Sequence, residues 1–330
     1  MGHRKHSQPR RGSMAYSPRA RAKSMEARIR SWPEIDSEEP KILAHCGFKA
    51  GCVQIVSIDD RDKTPNAGKQ LVSLGTVLAT PPVTVLGIRG YSKNLNGSHA
   101  EFDVYAKDIP KNIAKEIKIK HKDGAIEEAE KHLHKIKEIF ALVGVSPKAA
   151  GLEQKKPYVF EAGVKGGDIQ KQFAHVKDLL GKEIKIEQIF DLGSSVDVAA
   201  ITKGKGWQGV IQRWGAKKKQ RKSRKTVREL GSLGPISPSY IMYTVPRAGQ
   251  MGFHQRVEYD KRIMIMGNTE NNKFKINPDG GYKHFGVVKG DYVILKGSVP
   301  GTYRRLIKLR RQIRNVPAKI TKPNILEVVI

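Results

Sequence analysis

One short stretch has the spacing of a chemical signature. GKGWQG, Gly204 to Gly209, fits G-x-G-x-x-G after an apolar run, and Glu229 follows about twenty residues later. By itself this is the pattern of a dinucleotide site, in which the glycines admit the pyrophosphate and the acid takes a ribose hydroxyl. That chemistry needs a helix whose N-terminus faces the phosphates inside a βαβ unit. The next residues instead read VIQRWGAKKKQRKSRK, interrupted by Gly215, with no apolar stripe and with eight Lys or Arg from Arg213 to Lys225. The glycines are better read as places where backbone lies close to a phosphate backbone. No G-x-x-x-x-G-K-[ST] loop, HExxH or G-x-S-x-G occurs, and the same glycines lack the HRD and DFG partners of a kinase. Carboxylates are scattered or cluster on exposed helix faces such as Glu127, Glu128 and Glu130. An enzyme is the weaker class.

Charge points the same way. The 330 residues hold 61 Lys or Arg against 32 Asp or Glu, a formal charge of +29. From Lys203 to Arg228 there are eleven cations and no acid. A polyanion must neutralise them. A membrane surface is not indicated, because the sequence has no run of about 18 apolar residues and no basic segment with an apolar helical face. Nucleic acid is the expected partner. Within the basic region Trp207, Trp214, Tyr240 and Tyr243 are interleaved among Gly and Pro. A free solvated loop explains the charge but not the aromatics. An extended ribbon threaded into folded RNA explains both, with cations on phosphates and planar groups on unpaired bases. The RNA-binding candidates of this region are Lys203, Lys205, Trp207, Arg213, Trp214, Lys217, Lys218, Lys219, Arg221, Lys222, Arg224, Lys225 and Arg228.

Metal chemistry is not expected. Cys46 and Cys52 lie in HCGFKAGCVQIVSI, an alternating strand-like stretch in which even positions share a face, and no second ligand pair has zinc spacing. They are read as two buried free thiols, and no disulfide is expected in a reducing compartment. His132 and His134 are two apart and point in different directions if helical. No cofactor and no small-molecule substrate is indicated.

The elements that must position the basic region are mostly strands. Met1 to Ile35 carries nine Lys or Arg and three prolines without a hydrophobic period, so it reads as an extended arm. Arg4, Lys5, Arg10, Arg11, Arg19 and Arg21 are its RNA-binding candidates. GFKAGCVQIVSIDD reads as a strand, and TVLATPPVTVLGIRGYS as one or two more, broken at Pro81 and Pro82. From about Asn94 to Val145 the pattern turns helical, with Ala129, Leu133, Ile136 and Phe140 spaced 4, 3 and 4 apart. PYVFEAGV is a strand. A second helix comes after it, with Asp168 as N-cap, Ile169, Phe173, Val176 and Leu180 as its stripe and Gly181 as its stop. KIEQIFDLGSSVDVAAIT, RVEYDKRIMIMG, DYVILKG and RRLIKLR are further strands. Strands at both ends with helices between them predict a mainly β protein, a closed or half-closed barrel with a helical insertion.

Longer runs carry a resemblance. GKGWQGVIQRWG, then GSLGPISPSY, then YTVPRAGQMGFHQRVEYDKRI resemble the central finger of the large-subunit ribosomal protein L-three family in its archaeal and eukaryotic branch, and PRRGSMAYSPRARA resembles that family's start. The resemblance covers nearly the whole chain. It implies a six-stranded β-barrel of the translation-protein type with a helical insertion, a long basic finger and an extended N-terminal arm. It divides the chain into an arm (1–40), a barrel body (41–93, 150–206 and 251–330), a helical insertion (94–149) and a finger (207–250). It places Trp207 and Trp214 at the finger's root, Ser232 to Pro238 at the tip, and Arg247, Gln250, His254 and Arg256 on the returning strand; from these, Trp207, Trp214, Ser232, Ile236, Arg247, Gln250, His254 and Arg256 are RNA-binding candidates. Where many relatives carry Trp at the tip this chain has Ile236, and Arg224 stands where some carry a modified histidine. The implied role is structural: a cytoplasmic constituent of the large ribosomal subunit that binds large-subunit rRNA early in assembly, beside neighbouring ribosomal proteins, and supports the RNA around the peptidyl-transferase centre. The alternatives are a nucleic-acid-modifying enzyme, which needs a pocket of convergent titratable groups, and a general nucleic-acid-compacting protein, which binds duplex DNA as tightly as RNA.

Overall fold

The computed structural model describes residues 11–111, 113–114, 122–223, 226–271, 274–314 and 320–330. Contacts divide the chain into two compact units: Met1–Met25 with Ile201–Gln255, and Glu26–Ala200 with Arg256–Ile330. In chain order the strands are β1 (Lys41–Ile42), β2 (Ala44–Ile58), β3 (Gln70–Ala79), β4 (Val83–Asn94), β5 (Gly97–Tyr105), β6 (Glu138–Val145), β7 (Tyr158–Lys165), β8 (Glu183–Ile184) and β9 (Ser195–Ile201). After the short pair β10 (Trp207–Gln208) and β11 (Gly249–Gln250) come β12 (Gln255–Asn268), β13 (Asp291–Lys296), β14 (Leu306–Arg311) and β15 (Ile325–Val329). Helices α1 (Ala125–His132), α2 (Ile169–Asp178) and α3 (Val210–Trp214) are short. The protein is mainly β.

The larger unit holds two sheets. One runs β1-β7-β6-β4-β5, with β8 beside β4. In the other, β14, β9, β12, β13, β3 and β2 are neighbours in that order and β14 pairs back onto β2, from Leu306↔Phe48 to Arg310↔Ala44, so six strands close into a ring. Leu78, Val196, Val198, Ile263, Val293, Leu295, Ile307 and Leu309 form one buried cluster of this ring. His45 stands opposite Leu309 and so shares its face. Its ring is wholly buried, Nδ1 lies 2.8 Å from the Cys46 carbonyl, and burial pulls its pKa down to about 4. One register position away Cys46 opposes Lys308 on the other face, where burial pushes the thiol up to about 12. Lys308 is buried too, with Nζ 3.7 Å from Glu26 and 4.8 Å from the Phe160 ring, and burial lowers its pKa.

Two expectations from the sequence do not hold, and a third holds in part. The helix expected through Phe140 stops at His132; a 3-10 turn covers Leu133–Lys135, and Phe140 sits in β6. From Ile139 to Val145 β6 is an unbroken apolar run, buried throughout, so its spacing to Leu133 and Ile136 mimicked a helical stripe by coincidence. Residues 94–149 therefore contain β5 and β6 as well as a helix. Second, Cys52 is exposed. Pairing with β3 shifts between Lys49 and Gly51, a bulge that flips the parity of the strand, so that Cys46 and Phe48 are buried before it but Val53 and Ile55 after it. Third, α2 begins after Asp168 as expected, but the Asp168 side chain makes no cap bond and the helix ends at Asp178, before Leu180.

Candidate nucleic-acid interface

Among the described residues every candidate cation but Arg256 lies in the smaller unit. There β10 pairs antiparallel with β11, Trp207 against Gln250 and Gln208 against Gly249, so residues 209–248 form an excursion closed at its root. On the Trp207 side the ladder ends at once. Gly209 opens α3, which closes on Gly215 in the left-handed conformation (φ 70°) that glycine adopts without strain. The sequence reading missed this single turn of helix, because the crowded cations after Gly215 hid a five-residue apolar-rich segment. It does not restore a dinucleotide site, since β10 pairs only with antiparallel β11 among the described residues.

Trp214 is the hub of the root. Its side chain is buried, Nε1 donates to the Arg247 carbonyl at 2.9 Å, and the Arg19 guanidinium lies over its ring at 3.8 Å. Arg19 also donates from Nη1 to the Arg213 carbonyl at 2.8 Å. Arg213 donates from Nε to the Gln250 carbonyl at 3.0 Å and from Nη1 to the Arg247 carbonyl at 2.9 Å. Burial, and then the charge of Arg19, pull the Arg213 pKa down from its ordinary value. Two glycines make room: a Cβ on Gly12 would lie 2.5 Å from Trp214 Cε3, and one on Gly249 would lie 2.9 Å from Arg213 Cζ. Arg11 adds a bond from Nη1 to the Gly215 carbonyl at 3.0 Å. So Arg11, Arg19, Arg213 and Trp214, all singled out for RNA, hold the N-terminal segment against the root of the 209–248 excursion. Arg19 was legible only as a charge; its stacking on Trp214 joins residues 195 apart in sequence and leaves no local pattern.

The return strand is held in the same way. His254 is buried, its Nδ1 lies 2.8 Å from the Ala20 carbonyl, and its backbone N–H donates to Thr202 Oγ1 at 3.1 Å. Ala22 N donates to the Phe253 carbonyl at 2.8 Å. Gln250 turns inward, donating from Nε2 to the Gly252 carbonyl at 3.0 Å. A Cβ on Gly252 would lie 2.0 Å from the Lys203 carbonyl, so this crossing admits glycine alone. Arg256 opens the larger unit's part of β12 and is half-buried.

The remaining candidates face outward. Lys203, Lys205, Trp207, Lys217, Lys218, Arg221, Lys222, Arg228, Ser232 and Arg247 are exposed, Arg21 likewise on the arm, and Lys219 is half-buried. Among the described residues none of the cations from Lys203 to Arg247 forms a salt bridge. The one acid of the excursion, Glu229, accepts from Thr226 Oγ1 at 2.8 Å instead. Ile236 is 97% exposed, and Tyr240, Ile241, Met242 and Tyr243 beyond it are exposed as well. Arg4, Lys5, Arg10, Arg224 and Lys225 lie outside the described residues. Among the described residues no group of His, Cys, Asp and Glu is arranged to hold a metal, and no helix is long and apolar enough to cross a membrane.

This arrangement, outward cations and exposed aromatics carried on a closed root, meets a family match. The family described as Ribosomal protein L3 matches residues 1–329. The chain belongs to that family. It is similar to the large ribosomal subunit protein uL3 of Methanocaldococcus jannaschii, 42% identical over 322 residues that cover 96% of this chain and 95% of the relative. Similar proteins of the same description occur in Methanothermobacter thermautotrophicus, 38% identical over 327 residues (97% and 96% of the two chains), and in Methanococcus vannielii, 40% identical over the same length and shares. Ribosomal protein L3 chains are structural ribosomal proteins and not enzymes.

Proposed function

We propose that this chain is a constituent of the large ribosomal subunit that binds its rRNA through the smaller unit, with arm and finger forming one RNA-facing element. The observation that carries the reading is the row of outward cations from Lys203 to Arg247 with no acid paired to any of them among the described residues. Such a row repels itself in water and is stabilised only by a polyanion, each neutralised phosphate releasing condensed counterions. In this reading Trp207 and the tip aromatics stack on unpaired bases, while Trp214 and Arg213 set the finger's direction. The ring of six strands serves as the body, a barrel of the translation-protein type, with 1–40 as arm, 94–149 as insertion and 207–250 as finger. The protein works in the cytoplasm, enters early in subunit assembly, contacts neighbouring ribosomal proteins and supports the RNA around the peptidyl-transferase centre from the Ile236 end. Ultraviolet cross-linking of purified large subunits tests this: peptides spanning Lys203 to Arg247 should carry RNA adducts. Adducts confined to the larger unit would contradict it.

A further inference from the structure

The larger unit carries a second surface whose chemistry is opposite to the finger's. We propose that the open edge of β15, with the outward face of β2 and β3 beside it, receives an extended strand of a neighbouring protein in the same particle, an inference that rests on the ribosomal reading. β15 pairs with β2 through Ile325↔Ser57, Glu327↔Val56, Val328↔Ile55 and Val329↔Gln54, and among the described residues no strand takes its other edge. Ile325 and Val328 pack on the core, whereas Leu326, Val329 and Ile330 are exposed. The register then builds a largely apolar face: Val329 lies in one row with Gln54 and Leu74, and Glu327 in the next with Val56 and Val72. Val72 is 66% exposed.

Proteins ordinarily guard such an edge with Lys, Pro, a charge turned inward or a bulge. Asn324 to Ile330 holds no Lys, Arg or Pro. The single register shift falls between Ile325 and Glu327 and leaves Glu327 to Val329 in regular pairing. An edge of this kind takes an added strand, with main-chain bonds supplying affinity and the flanking apolar row supplying specificity. Charge selects the occupant. In a chain of +29, Gln70 to Leu74 and Asn324 to Ile330 together carry one charged side chain, the acid Glu327, so these segments offer no cation to phosphate and a strand with Lys or Arg opposite Glu327 is favoured. A second copy paired about the middle of β15 would set Glu327 against itself, an unfavourable like-charge pair.

Cys52, exposed on the same outward face of β2, supplies the probe. Large subunits purified from cells expressing the full chain are treated with a maleimide–diazirine cross-linker at Cys52, and the captured partner is sequenced. The expected result is one neighbouring ribosomal protein, joined through an extended segment containing Lys or Arg. Leu326→Asp combined with Val329→Asp should lower that yield and the occupancy of that protein about tenfold, a factor corresponding to roughly 1.4 kcal/mol, while binding of the free chain to large-subunit RNA stays unchanged. Leu326→Thr with Val329→Thr, which keeps strand-forming residues, should lower the yield in the same direction if the aspartates impair folding. Cross-links to RNA alone, to a second copy of this chain, or unchanged in both variants would overturn the proposal. Absence of the wild-type chain from large subunits would overturn the ribosomal reading along with it.

Discussion

At the scale of single residues the structure separates cations that hold the protein together from cations that face outward. Arg213 donates to two carbonyls and sits beside a buried Trp214, so replacing it disturbs the finger's root before it disturbs any phosphate contact. Trp214→Ala removes the ring under Arg19 and the bond to the Arg247 carbonyl. Loss of a buried tryptophan costs on the order of 3–5 kcal/mol, so amide exchange across residues 11–22 of the free protein should accelerate strongly; unchanged exchange would show that the arm is held elsewhere. His45 gives a pH signature. Burial holds its folded-state pKa near 4 against an ordinary 6.5, so the unfolded chain binds the extra proton between those values. The neutral ring's contribution is therefore complete above pH 6.5 and is lost as pH falls toward 4, by up to about 3 kcal/mol. His45→Leu should flatten the pH dependence of urea unfolding in that window relative to the wild type, and an equal slope in both would contradict the assignment.

At the scale of elements, the finger's stem and tip should fail differently. Replacing Lys217, Lys218 and Lys219 together by Gln leaves the Trp214 hub intact and removes three outward or half-outward charges. The log–log salt dependence of binding to large-subunit RNA should flatten by about 2 units, from roughly 0.7 to 0.9 per phosphate; an unchanged slope would place these lysines in solvent. Ile236→Asp at the tip should leave the yield of large subunits intact and alter the peptidyl-transfer rate, whereas a collapse in yield with an unaltered rate would make the tip an assembly anchor. Strands were the readable part of this chain because a short alternating or apolar run bounded by turn residues is a local signal: β2, β4, β7 and β12 to β14 all coincide with runs seen in the sequence. The failures also have local causes. β6 follows at once on a real helix and 3-10 turn, so its apolar residues prolonged the helical spacing, and a one-residue bulge reversed the face of Cys52.

At the scale of the whole molecule, the sequence showed a basic arm and a basic finger but not that residues 11–25 belong with the finger while the chain from Glu26 onward belongs with the larger unit. Single contacts across the sequence draw that line. Arg19 reaches Trp214 and Ala22 reaches Phe253, while Ala27 is buried and Arg310 donates from Nη1 to the Ser31 carbonyl at 2.7 Å. None of these leaves a periodic trace, and a charge run looks the same whether its cations stack on a tryptophan or face solvent. The net charge of +29 was legible at once, and with it the expectation of a polyanionic partner. That inference is tested most directly by where the protein resides: cell extract resolved on a low-salt sucrose gradient and probed for this chain. Essentially all of it should sediment with large ribosomal subunits and the particles built from them, and ribonuclease treatment of the extract should shift it out of those fractions. A predominant free pool at the top of the gradient, unmoved by ribonuclease, would contradict a ribosomal role.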